Sequence, residues 1–206
     1  MSGTSDEKLK GIANLFDKTE LKSFILNYLI ILMVIDTMHH VKARQGKIVN
    51  PLVWTYAIGC AVLHLIGAGV WGFLHTLPQI NYYTHGSQVT VSHGHLAFFG
   101  AYALLNLTIF YYAMPTLKGI TAFDDSRGKV GFWTMCISMM IMGLTFGVAG
   151  VLQSYIERVL GLGYMTAQGY MRLWMGVTMA AGVFFLGGLL TTVADLLTLR
   201  PAKTAS

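Results

Sequence analysis

No aspartate, glutamate, lysine or arginine occurs between Pro51 and Leu117, and none occurs between Gly131 and Ile156. Apolar runs this long, without one full charge, fit the hydrocarbon core of a bilayer. There the backbone must satisfy its own polar groups, and a continuous apolar run does so as a helix. Hydrophobic residues make up 54% of the 206-residue chain and charged residues 11%, against about a quarter charged in a soluble domain. Five spans are expected, at 24–41, 52–76, 91–115, 130–155 and 167–199. Each is near or above the ~20 residues a helix needs to cross. The expected fold is therefore an all-α integral membrane bundle of about five transmembrane helices over 24–199. A polar segment, 1–23, precedes it and a short tail, 200–206, follows. Pro51 is expected to open the second helix and Pro115 to close the third, since proline is tolerated at helix ends.

The remaining charges set an expected orientation. Lys42, Arg44 and Lys47 follow the first span, Lys118, Arg127 and Lys129 the third, and Arg200 and Lys203 the fifth. The stretch 77–90 has no formal charge, and the loop after the fourth span has only Glu157 and Arg158. Positive loops face the cytoplasm, which puts the N-terminus outside, the C-terminus inside, and the chain in a bacterial inner membrane as a multi-pass protein. The net charge of +5 is explained by these loops, so a nucleic-acid partner is not expected. The polar start lacks the apolar core of a signal peptide. Cys60 and Cys136 both lie in apolar runs and read as small buried hydrophobes. Gly67–Ala68–Gly69 and Gly187–Gly188 suit close helix packing in lipid. Met135, Met139, Met140 and Met142 read as adaptable packing residues rather than ligands.

Seven histidines are candidates for chemistry: His39, His40, His64, His75, His85, His93 and His95. Ionisable groups within membrane spans are costly and are functional candidates by default. His93 and His95 stand two apart, so on a helix their side chains point about 200° apart. One metal ion cannot sit on both rings, whereas two cofactors on opposite flanks can. Gly94 between them removes bulk and admits a flat macrocycle, and histidine is a common axial ligand of haem iron. From spacing alone, a pair of interfacial polar residues bonded to water or backbone is an equally open reading. His39 and His40 end the first span on the basic side and read as interfacial. His64, in mid-span, reads as a hydrogen-bonded structural residue. Glu20 reads as a surface charge.

The stretch from Gly67 to Ala103, GAGVWGFLHTLPQINYYTHGSQVTVSHGHLAFFGAYA, resembles the catalytic, cytochrome b subunit of bacterial nitric oxide reductase, of the haem–copper oxidase superfamily. The similarity continues more weakly through Tyr112-Ala-Met-Pro115, Ala149-Gly-Val-Leu-Gln153 and Arg172-Leu-Trp174. It covers most of the chain from about Glu20 and corresponds to the last five helices of that subunit. The resemblance implies that His93 is the axial ligand of a high-spin haem and His95 one axial ligand of a low-spin haem, with haem b as the cofactor, one or two per chain. It implies contacts from His75 and His85 to haem propionates, with plain loop hydrogen bonding the alternative. Phe98, Phe99, Gly100 and Tyr102 would wall the macrocycles.

The family's non-haem iron ligands are not among the matched residues, so the chain is expected not to be catalytic alone. The implied function is a haem-binding membrane subunit that supports electron transfer and nitric oxide reduction together with a partner chain. That partner would carry the remaining ligands, including those of any non-haem iron. A c-type cytochrome or quinol would donate electrons. The alternatives are a non-catalytic haem b electron-transfer subunit or a structural subunit of another respiratory complex.

Overall fold

A computed structural model describes residues 50–201, together with Tyr28, Leu32, Ile35, Asp36 and His39 of the first expected span and Ala43 just after it. Those six isolated positions are helical and exposed. The remainder of that span, with His40 and Glu20, lies outside the described residues.

The described chain is helical, and four of its helices are long and apolar enough to cross a membrane. They are α1 (Pro51–Thr76), α3 (Gln88–Leu117), α4 (Ser126–Val159) and α5 (Tyr164–Leu197). A short helix, α2 (Pro78–Thr84), lies between α1 and α3. Among the described residues the β-type pairing is one isolated bridge, Phe123 to Pro201.

Proline placement explains the first boundaries. Pro51 opens α1 in its first turn, where its missing N–H would have no partner in any case. Leu77 is extended (ψ 118°), as the residue before a proline prefers, and Pro78 restarts the chain as α2. The expected loop 77–90 is thus largely helical. Asn81 N–H donates to Leu77 O at 2.8 Å and His85 N–H to Asn81 O at 2.9 Å. Gly86 then turns the chain with φ +74°, a conformation that glycine adopts without steric cost.

Helix α3 begins at Gln88 rather than at 91. The Ser87 hydroxyl accepts from Val89 N–H at 3.2 Å, a cap worth about 1 kcal/mol. Its far end corrects the expected role of Pro115, which lies inside the helix rather than closing it. Proline removes a single backbone donor there, and only Thr116 and Leu117 follow in the helix. The stop comes from Gly119 (φ +66°), with Ile120 N–H donating to Pro115 O at 2.8 Å. A left-handed glycine closing the last turn in this way is a standard helix terminator.

Helix α4 is the centre of the described bundle: 56% of its apolar window is buried, against 11% for α1. The helices approach at glycines, as expected where small residues replace a hydrophobic driving force between helices. A Cβ on Gly67 of α1 would run into the backbone of Leu96 and Ala97 in α3. One on Gly100 of α3 would stand 2.5 Å from the backbone nitrogen of His64 in α1. Gly143 and Gly150 of α4 bring Leu96 and Val89 of α3 equally close, and Gly188 of α5 lies against Met135 of α4.

At the end of the bundle formed by the start of α1 and α4 and the finish of α3 and α5, buried polar groups are paired. Tyr111 donates to the Asp195 carboxylate at 3.0 Å, and the Tyr56 hydroxyl lies 3.2 Å from both Gly128 O and the Thr192 hydroxyl. Lys118 donates to Leu196 O and Leu197 O at 3.0 and 2.7 Å. It places a cation on the carbonyl end of α5, where the helix dipole favours one.

Candidate functional site

The opposite end of the bundle carries the histidines. His93 and His95 sit in the second turn of α3, both half-buried. They face different neighbours, as the 200° separation requires. His93 turns toward α1, where its Nδ1 lies 2.8 Å from Gly67 O. His95 turns toward α4, with its ring 5.0 Å from that of Phe146, and its Nδ1 lies 2.9 Å from Val91 O one turn back.

A carbonyl oxygen can only accept. Both rings therefore carry the proton on Nδ1 and present Nε2 as a lone-pair nitrogen, the form needed to ligate a metal. Hydrogen bonding of the far nitrogen to a carbonyl is also how ligating histidines are oriented.

The Gly67 carbonyl is available because α1 is not regular there. Residues Leu65–Trp71 form a π turn, and Gly67 O accepts the N–H of Gly72, five residues on. Its second lone pair takes His93. A second π turn, Phe99–Ala103, follows His95 directly. Insertions of this kind recur at functional sites. Hydrophobic periodicity carries no sign of them, so neither the π turns nor the two carbonyl partners were legible in sequence.

The two flanks differ in shape. On the His95 side an open groove of about 700 Å³ runs along α3 past Val91, Gly94, Phe98, Phe99, Tyr102 and Asn106, with Met139 of α4 and Phe185 of α5 opposite. Phe98 and Tyr102 stack at 5.7 Å with planes 29° apart. Nothing lies within 4 Å of where a Gly94 side chain would begin. This is a mostly apolar, flat-walled surface with one imidazole, of a size in the range of cofactor sites. Of the residues expected to wall a macrocycle, Phe98, Phe99 and Tyr102 line it, while Gly100 is spent on the contact with α1.

On the His93 side the space is closer. A Cβ on Gly72 would stand 3.3 Å from His93 Cε1. The His75 ring lies 5.3 Å from the His93 ring, with planes 40° apart. His75 Nε2 is buried and has no hydrogen-bond partner.

His85 is exposed in the turn after α2, and its carbonyl is held by Arg158. That guanidinium donates to Tyr82 O at 2.7 Å and His85 O at 2.6 Å, pinning the segment over the site to the end of α4. Gln153 completes the cradle by accepting from Gln88 N–H at 3.0 Å. His64 is half-buried in α1 on the far side of the Gly100 crossing, apart from the pair. His39 is exposed on the first expected span.

Comparison with known proteins matches residues 23–184 to the family model described as cytochrome c and quinol oxidase polypeptide I. A nitric oxide reductase subunit of Stutzerimonas stutzeri is 42% identical over 165 residues, covering 76% of this chain and 35% of that protein. A putative cytochrome c oxidase subunit 1-beta of Streptomyces coelicolor is 28% identical over 67% of this chain and 22% of its own length. A probable cytochrome c oxidase subunit 1 of Bradyrhizobium diazoefficiens is 27% identical over 52% and 15%. The chain thus spans about a third or less of the length of these relatives.

Proposed function

The chain belongs to the cytochrome c and quinol oxidase polypeptide I family, as a haem–copper oxidase-type membrane subunit, and we propose that within it the imidazoles of His93 and His95 would hold haem iron in a larger respiratory complex. The observation that carries this reading is the shared state of the two rings. Each is held by a backbone carbonyl at Nδ1, which leaves Nε2 for a metal, and each faces a different flank of α3. The residues present suit the group. The His95 flank is an open groove walled by flat rings, and the His93 flank carries the orphaned nitrogen of His75.

In this assignment His93 holds a high-spin haem b and His95 a low-spin one. Such a group, when bound, would supply electron transfer and, beside a second metal, the reduction of nitric oxide. This chain's share is to fix the two imidazoles, exclude water from the His93 flank through the Gly67 and Gly72 contacts, and wall the groove with Phe98, Phe99 and Tyr102. Among the described residues no three His, Cys, Asp or Glu side chains converge as a metal-binding group. Non-haem iron enters this proposal only with ligands from a partner chain. That partner would also supply the second ligand of the low-spin haem, with a c-type cytochrome or quinol as donor. The site end then faces outward and the Asp195 end faces the cytoplasm across a bacterial inner membrane.

A second reading, a haem b electron-transfer subunit without catalysis, keeps both carbonyl-held imidazoles and needs no second metal.

The test is a reduced-minus-oxidised visible spectrum of the complex purified from its native membrane. Haem b bands are expected, and their absence from intact material overturns the proposal. Co-purification of a chain carrying further histidine ligands selects the catalytic reading over the electron-transfer one.

A further inference from the structure

Helix α5 meets α4 along one side. The Thr178 and Thr145 hydroxyls lie 2.6 Å apart there, Gly188 lies against Met135, and Met171 and Ala181 are buried. The other side of α5 is open. At about 100° per residue, Gly169, Gly176, Ala180 and Gly187 fall on one line of the helix, turned away from α4, and all four are exposed. Nothing stands within 4 Å of a Cβ placed on Gly169, Gly176 or Gly187. At the helix crossings Gly67, Gly100, Gly143 and Gly150 each admit a neighbour. The three on α5 admit none from the described chain, although glycine weakens a helix interior.

Arg172 flanks that line, about 12 Å along α5 from Tyr164. Its side chain is exposed, and among the described residues it has no hydrogen bond or ion pair. With Gly169, Leu173, Gly176 and Ala180 it lines an open groove of about 650 Å³. A full charge within a membrane span is costly against lipid and is almost always paired. Acyl chains gain nothing from small residues, whereas two helix backbones need them to approach closely. From Gly169 to Gly187 the line is about 27 Å long, close to the ~30 Å of the hydrocarbon core. That length suits a helix lying along it rather than a lipid headgroup at one end.

We propose that this face of α5 docks a membrane-spanning helix of a partner chain, and that the helix carries an aspartate or glutamate opposite Arg172. Charge complementarity selects the occupant. A second copy of this chain meeting the face by two-fold symmetry would set both Arg172 guanidiniums at one depth, where they repel. The inference stands apart from the haem assignment, since neither His93 nor His95 lies on α5. A complex without haem would overturn that assignment and leave this one intact.

The experiment places the photoreactive residue p-benzoylphenylalanine at Val177, which lines the groove, in the full chain in its native membrane. After illumination the crosslinked peptides are sequenced, and the yield is scored per chain recovered. An adduct is expected on an apolar, helix-length segment of another chain, with an acidic residue within about two turns of the attachment point. Arg172→Gln and Gly176→Leu should each lower the yield at least about tenfold. Arg172→Lys, which keeps the charge, should retain most of it. Replacing the acidic residue so found by its amide should reproduce the loss. Adducts confined to phospholipid overturn the proposal, as do adducts to this chain itself or to a partner segment without an acidic residue. A yield that Arg172→Gln leaves unchanged overturns it as well.

Discussion

Replacing Gly67 with alanine should be among the most damaging single-methyl additions in the chain. The new Cβ would lie 2.5 Å from the backbone carbon of Leu96 and 2.8 Å from its Cβ. Ordinary contact begins at 3.4 Å, so α1 and α3 must separate by about 0.9 Å (3.4 − 2.5). Backbone cannot swing aside as a flexible side chain does, and overpacking of this kind costs about 1–3 kcal/mol. The same displacement stretches the 2.8 Å bond from His93 Nδ1 to Gly67 O, worth about another 1 kcal/mol. The expected loss is about 2–4 kcal/mol in all, measured by titrating the purified protein in mixed micelles with a denaturing detergent. Gly187→Ala is the matched control, because nothing lies within 4 Å of its Cβ position. It should leave stability unchanged or raise it by up to about 1 kcal/mol through helix propensity. Equal stability of the two variants would refute the reasoning, since it would mean that the α1–α3 crossing is not close-packed at Gly67.

Four further outcomes are expected. His95→Ala should remove the low-spin signal from the visible and paramagnetic resonance spectra while leaving a high-spin one, and His93→Ala should do the reverse. Tyr111→Phe removes the donor to the buried Asp195 carboxylate and should cost about 1–3 kcal/mol in the same micelle titration without altering any haem signal at the other end of the bundle. Ser87→Ala removes the cap of α3 and should cost about 1 kcal/mol, with faster amide exchange at Val89. Arg158→Ala releases the Tyr82 and His85 carbonyls and should speed amide exchange across 78–86. As an exposed residue it should change global stability by no more than about 0.5 kcal/mol.

Helical membrane character was legible because it depends on quantities summed along the chain. The charge-free run from Pro51 to Leu117 alone forces helices through a bilayer. Boundaries were less legible because they are decided by single hydrogen bonds. Ser87 moved the start of α3 forward to Gln88, Gly119 rather than Pro115 ended it, and Pro78 made a helix of an expected loop. These are local chemistry, present in the sequence but hidden beneath the hydropathy signal.

The histidine pair divides in the same way. Spacing by two residues on a helix was enough to place His93 and His95 on opposite flanks, since helical geometry is periodic and needs no neighbours. Only the tertiary structure decided what each flank meets. Gly67 lies 26 residues before His93, and its carbonyl reaches that ring because α1 and α3 cross at glycines and α1 makes a π turn there. His75, which flanks the external stretch in sequence, became a ring neighbour of His93 with its Nε2 buried and without a partner once the helices packed. Periodicity along one helix is a property of that chain segment, whereas the tautomer, orientation and surroundings of a side chain are set by atoms that only packing brings within reach.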